Sequence, residues 1–221
     1  MNIKLKAKDG HAFDCWVQAA EGKAIGGLVI VQEIFGVTDQ LIAVAKQYAK
    51  QGLNVAIPAL FDRQQPGTVV PFDQASIGLH LMQDAKVDEN LADIRASVEE
   101  LSKGGLDVAV MGFCWGGGLA VRCAQVLDIR CAVSFYGTRL SNYMNQPLAV
   151  PVQGHFGDQD DHVPEALLNE FKALYPQAEI FVYEAGHAFA NESRPSYVKD
   201  AAELAHERTI RFIKKHLTES V

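Results

Sequence analysis

A chain of 221 residues, 48% hydrophobic and 21% charged, has the length and composition of one sizeable soluble domain. Twenty Lys and Arg against 27 Asp and Glu give a formal charge of −7, which leaves no basic surplus for phosphates and disfavours a nucleic-acid role. No apolar run is long enough to span a bilayer, and Met1 to Lys6 alternate with charge where a secretory leader needs an apolar centre. A soluble, cytoplasmic protein is the expectation.

The elements follow in chain order. Alternation from Phe13 to Val17 predicts the arm of an early hairpin. Gly27 to Val31 is a continuous apolar run, as in a strand covered on both faces. A helix begins near Thr38 or Asp39, puts Leu41, Val44, Ala45, Tyr48 and Ala49 on one face, and stops at Gly52. Asn54 to Pro58 reads as the next strand. Two helices fill Gln74 to Lys103; the second carries Leu91, Ile94, Val98 and Leu101 and ends at Gly104-Gly105. Further strands are expected at 106–111, 129–135, 149–152 and 180–183, with helices at 117–124, 165–174 and 201–217. Strands separated by helices of this length imply βαβ units. The fold expected is α/β, a mostly parallel central sheet with helices on both faces, in one domain spanning 1–221.

Gly112-Phe113-Cys114-Trp115-Gly116 stands between one of those strands and a helix with a small-residue entry. Strand, glycine-flanked nucleophile, helix is the layout of the nucleophile elbow of the α/β-hydrolase fold, with sulfur replacing oxygen. Neighbours without a Cβ let strand and helix pass closely, and the helix N-terminus favours thiolate. The pentapeptide alone equally describes a buried structural cysteine beside a glycine turn. The other cysteines (Cys15, Cys123, Cys131) show no CxxC spacing, so neither zinc nor a disulfide framework is expected. Cys123 and Cys131 lie in apolar stretches and read as core.

The partners a nucleophile needs follow in hydrolase order, acid and then histidine. Gly157-Asp158-Gln159-Asp160-Asp161-His162-Val163-Pro164 comes after a predicted strand end, where open α/β sheets carry functional groups. His187 sits on a loop after the last predicted strand, with Gly186 letting the backbone turn. Thiol, imidazole and carboxylate make a base-activated nucleophile with an oriented base. Upstream, Glu33 follows the buried strand ending near Val31. Either it is a loop carboxylate bonded to a backbone amide, or it faces the thiol and accepts its proton, with a pKa raised by desolvation. Folds of this kind draw one oxyanion-hole amide from that loop and the other from the residue after the nucleophile, which assigns the backbone N–H groups of Ile34 and Trp115.

Val31 to Val37, Pro58 to Gly67, Gly112 to Gly117, Gly157 to Pro164 and Gly186 to Ala190 together resemble the dienelactone hydrolase (carboxymethylenebutenolidase) family, over essentially the whole chain. The resemblance implies Cys114 as nucleophile, His187 as base and Asp160 as the triad acid. The family pattern Gly-x-x-Asp-x-x-Val-Pro selects Asp160 over Asp158 and Asp161. It also implies Glu33 as the group that holds the resting thiol and is displaced on substrate binding, an acyl-enzyme on Cys114, and no cofactor or metal.

One departure concerns substrate. Family members acting on dienelactone hold its carboxylate with arginines. One lies four residues after the histidine, where this chain has Asn191; another lies in a helix corresponding to Phe72 to Lys86, which contains no arginine. A neutral ester, lactone or thioester is therefore expected, with Phe35, Asn191 and Arg194 as candidate substrate contacts. Ile77, Leu79, Leu81 and Met82 are candidates for an apolar pocket wall or for core. Two other classes compete with hydrolysis. A non-catalytic binding protein would not need all of Cys114, His187, Asp160 and Glu33. A thiol-redox protein would need a resolving cysteine, and Cys123 lies roughly two and a half turns along the next helix. A small-molecule substrate and a monomer or small homo-oligomer complete the expectation.

Overall fold

The computed structural model describes residues 1–219, in two compact units that divide between Ala109 and Val110.

The first unit contains β1 (Asn2–Lys6), β2 (Ala12–Gln18), β3 (Gly26–Val31), α1 (Asp39–Ala49), β4 (Leu53–Pro58), α2 (Ala75–Asp84) and α3 (Val87–Leu101). The expected hairpin arm is β2, antiparallel to β1, which the sequence showed only as alternating charge. β2 pairs antiparallel with β4, and β4 parallel with β3. Every residue of β3 is buried, as its unbroken apolar run requires. Thr38 caps α1, its hydroxyl oxygen accepting the Leu41 N–H at 3.2 Å, and the five predicted core positions of α1 are buried.

α2 differs from expectation. Met82 is buried, but Ile77 and Leu79 are 45% and 42% exposed, so core packing does not account for them. The helix rests instead on the Gly78–Met82 face, one turn apart. A Cβ at Gly78 would lie 1.9 Å from the Ile34 carbonyl oxygen, so only glycine permits this approach.

The second unit takes β5 (Val108–Phe113) from Val110 onward and continues through α4 (Trp115–Val126), β6 (Ala132–Phe135), β7 (Val152–Gln159), α5 (Glu165–Leu174), β8 (Glu179–Gly186) and α6 (Lys199–Thr218). Its strands lie in the order β5-β6-β7-β8, every pairing parallel. Two expected strands are corrected. The sheet pairing of β6 begins at Ala132 rather than 129. More consequentially, β7 runs from Val152 to Gln159, where the apolar pattern placed a strand at 149–152.

The cause is a buried polar chain in mid-strand. His155 Nδ1 lies 2.8 Å from the Tyr183 hydroxyl, and its Nε2 lies 3.0 Å from Gln153 Oε1 and 2.9 Å from Thr209 Oγ1. Gln153 Nε2 donates to Glu179, and Arg208 donates to the Tyr183 oxygen. An amide oxygen only accepts, so Nε2 carries the proton and Nδ1 accepts from tyrosine. Burial, then the charges of His206 and Arg208, hold the His155 pKa well below the ordinary value and keep the ring neutral. The polar residues are satisfied inside, which periodicity cannot reveal.

Among the described residues no helix is long and apolar enough to cross a membrane.

Candidate active site

The turn that carries Cys114 is built by close backbone approach. Cys114 occupies the turn between β5 and α4 with φ 53° and ψ −116°, a left-handed conformation that costs a non-glycine residue about 1–3 kcal/mol. Its amide donates to the Phe135 carbonyl at 3.0 Å, and its carbonyl accepts from Gly117, Gly118 and Thr138. The glycines are steric requirements. A Cβ on Gly112 would meet the Gly116 oxygen at 1.9 Å, and one on Gly118 would meet the Thr138 oxygen at 2.1 Å. These contacts hold the turn in its strained form and set Cys114 as N-cap of α4, with Trp115 the first helical residue. Cys114 is half-buried, whereas Cys15, Cys123 and Cys131 are buried. Burial pushes the Cys15 and Cys131 thiols up to about 12, the signature of inert core cysteines.

Asp160 and His187 are brought together by the pairing of β7 with β8. Gln159 pairs with Gly186 across the parallel ladder, so the next residue of each strand end, Asp160 and then His187, face one another. A register irregularity between Gly157 and Gln159 precedes the acid. A Cβ on Gly157 would fall 2.1 Å from the Ala185 oxygen, so glycine lets the two strands close up there. Asp160 Oδ2 lies 2.7 Å from His187 Nδ1, with the carboxylate fully buried and the imidazole 18% exposed. Oδ1 accepts the backbone N–H of His162 at 2.8 Å, an Asx turn that orients the carboxylate. Asp158 is exposed and its Oδ1 accepts the Ala185 N–H; Asp161 is also exposed.

Burial opposes charge on His187, but hydrogen bonds to Asp160 and to Cys114, and the negative charges of both, outweigh it and raise its pKa to about 10. Imidazole is thus linked on one side to a carboxylate and on the other to the half-buried sulfur. Two rings flank it: Tyr136, edge-on at 5.2 Å between centroids, and His162 at 4.4 Å. Neither contact follows from the sequence pattern. His162 belongs to the acidic stretch Gly157 to Pro164, while Tyr136, with φ 37° at the end of β6, carries no sequence signal beyond the Gly137 that follows it.

Glu33, Ile34 and Phe35 lie in the first unit, on the loop after β3, and all three are buried. The fully buried Gln32 fixes that loop: its Nε2 donates to the Glu33 carbonyl and its Oε1 accepts the Leu60 N–H at 3.0 Å. The Phe35 carbonyl accepts from Val70, and its ring meets Phe72 edge-on at 4.8 Å. In the second unit Asn191 is 1% exposed and its Oδ1 accepts the Ser193 N–H, so its carboxamide oxygen is engaged in its own turn. Arg194 is half-buried, its N–H donating to the Asn191 carbonyl. Among the described residues no group of three or more His, Cys, Asp or Glu side chains is placed to hold a metal ion.

Known proteins share this architecture and sequence. Residues 13–217 match the dienelactone hydrolase family. A carboxymethylenebutenolidase from Pseudomonas sp. (strain P51) is 32% identical, over 96% of this chain and 94% of its own length. Carboxymethylenebutenolidase 1 from Cupriavidus pinatubonensis is 26% identical, over 96% of this chain and 95% of its own. A dienelactone hydrolase-like promiscuous phosphotriesterase from metagenomic libraries superposes with TM-score 0.78 at 16% identity, covering 98% of each chain. An esterase from Pyrococcus furiosus gives TM-score 0.74 at 17% identity, over 98% of this chain and 92% of its own. The two structural likenesses speak for the fold, an α/β-hydrolase, and the sequence match for the lineage. The chain belongs to the dienelactone hydrolase family and is a hydrolase of the carboxylic-ester class.

Proposed function

We propose that the chain hydrolyses small ester or lactone substrates through Cys114, His187 and Asp160, with Glu33 assisting the thiol. The observation that supports this most is the continuous hydrogen-bonded line from Asp160 through His187 to Cys114. In the resting enzyme Glu33 holds the Cys114 thiol; on substrate binding it takes the thiol proton and is displaced, leaving Cys114 thiolate opposite imidazolium His187. The sulfur attacks the carbonyl carbon, and the backbone amides of Ile34 and Trp115 stabilise the oxyanion. When the tetrahedral intermediate collapses, the carbon–oxygen bond to the leaving group breaks and His187 supplies that oxygen's proton. Water then attacks the acyl-enzyme, giving a proton to His187 as the carbon–sulfur bond breaks, which restores thiolate and imidazolium. Asp160 holds the tautomer throughout.

Neutral substrates are favoured over those bearing a carboxylate. A bidentate guanidinium is the group suited to a carboxylate, and the position four residues after His187 holds Asn191, already engaged with Ser193. Phe35 and Arg194 are the other proposed substrate contacts. The proposal takes residues 1–221 as one catalytic domain acting in the cytoplasm on a small molecule, with the family match across 13–217 in support. A pair of esters differing only in a carboxylate tests the substrate reading. The expected kcat/KM favours the neutral ester by about tenfold or more; a preference for the carboxylate would contradict it.

A further inference from the structure

His162 is an exposed residue in the turn after β7, yet its ring does not project freely. It lies 4.4 Å from the His187 ring centroid, the planes inclined by 57°. Tyr136, fully buried, covers another part of the same imidazole at 5.2 Å. His187 thus touches a ring from the core and a titratable ring from an exposed turn. The backbone of His162 joins the same assembly, since its N–H donates to Asp160 Oδ1 while Oδ2 faces His187 Nδ1. Titratable groups placed with it are Asp160 and Asp161 in its own turn and, from the loop after β8, His187, itself bonded to Cys114.

We infer that His162 is a positioning residue for the base: its ring packs against that of His187, and its charge helps set how far down in pH the Cys114–His187 pair stays competent. The inference rests on the triad reading above. A positive charge against the imidazole face disfavours a proton on His187 and favours thiolate on Cys114. Protonation of the thiolate ends acylation at low pH, and protonation of His187 in the acyl-enzyme ends deacylation. A cation at position 162 therefore displaces both acid limbs toward lower pH. An apolar ring there does the reverse while preserving the contact.

The test is the pH dependence of kcat and of kcat/KM for a neutral activated ester, from pH 5 to 9, normalised to the pre-steady-state burst. His162→Phe is expected to move the acid limbs up by about half a pH unit or more, and His162→Lys, which keeps the cation, to leave them within about 0.2 unit of wild type or slightly below it. His162→Ala should lower kcat a few-fold with KM little changed, and His162→Phe should recover most of that loss. Limbs that coincide with wild type in His162→Phe, or that move up equally in both variants, overturn the inference. Should the phenylalanine variant not accumulate folded, His162→Gln carries the same expected upward shift. A wild-type protein without a burst overturns the triad reading, and this inference with it; a normal burst with unmoved limbs overturns this inference alone.

Discussion

Asp160 spends its two carboxylate oxygens on two histidines: Oδ2 faces His187 Nδ1 at 2.7 Å and Oδ1 accepts the His162 backbone N–H at 2.8 Å. A carboxylate so buried would be costly without both partners, and with them it has one orientation. The orientation sets Nδ1 of His187 on the carboxylate. Three carboxylates crowd this loop in sequence, and Asp160 is the one paired with His187.

That arrangement separates Asp160 from its neighbours by experiment. Asp160→Asn is expected to reverse the tautomer preference and lower kcat by about 10³–10⁴-fold with the fold intact. Asp161→Asn should stay within a few-fold of wild type, and Asp158→Asn should act only through its bond to the Ala185 N–H. Steady-state kinetics on one activated ester checks all three. Comparable losses in Asp158→Asn and Asp160→Asn would contradict the assignment.

Gly78 tests the loop after β3. A methyl group there would fall 1.9 Å from the Ile34 oxygen and 2.9 Å from its carbonyl carbon. Gly78→Ala must push α2 and the loop apart, for about 1–3 kcal/mol of stability by urea unfolding. Because the displaced peptide neighbours the proposed oxyanion donor, kcat per burst-titrated site should also fall about tenfold. A loss of stability with unchanged kcat would leave Ile34 outside the oxyanion hole.

Acid stability follows from the buried imidazoles. Burial lowers the His206 pKa to about 4 and holds His155 well below its ordinary value. The unfolded chain takes up these protons near pH 6.5 while the folded chain does not, so stability is lost as pH falls from 6.5 toward 4. His206 alone contributes at most about 3 kcal/mol to that loss, the residue as a whole being half-buried. Urea midpoints at pH 7 and pH 4.5 should differ accordingly, and His206→Phe, whose ring can remain against Phe135, should narrow the gap. An equal gap in the variant would contradict this account.

The elbow was legible because its physics is local: glycine at fixed offsets between an apolar strand and a helix specifies a turn at which Cys114 is strained. The β3 strand and α1 were legible because their apolar periods match their burial. β7 was misplaced because Gln153 and His155 are buried by pairing with Glu179, Tyr183 and Thr209, partners 26 to 54 residues away. The exposure of Ile77 and Leu79 and the role of Gly78 depend on a contact with Ile34 that no helical period encodes. In the same way Asp160 and His187 could be proposed from motif order, whereas the contacts of Tyr136 and His162 with His187 required the strand ends to be assembled.

The most direct test of the central claim is the fate of Cys114 in the first turnover. Rapid mixing with an activated aryl ester is expected to release one equivalent of phenolate per chain, with one acyl group found on Cys114 by mass spectrometry. Cys114→Ala should show neither. Equal hydrolysis by wild type and Cys114→Ala, or an acyl group carried on another residue, would contradict the account.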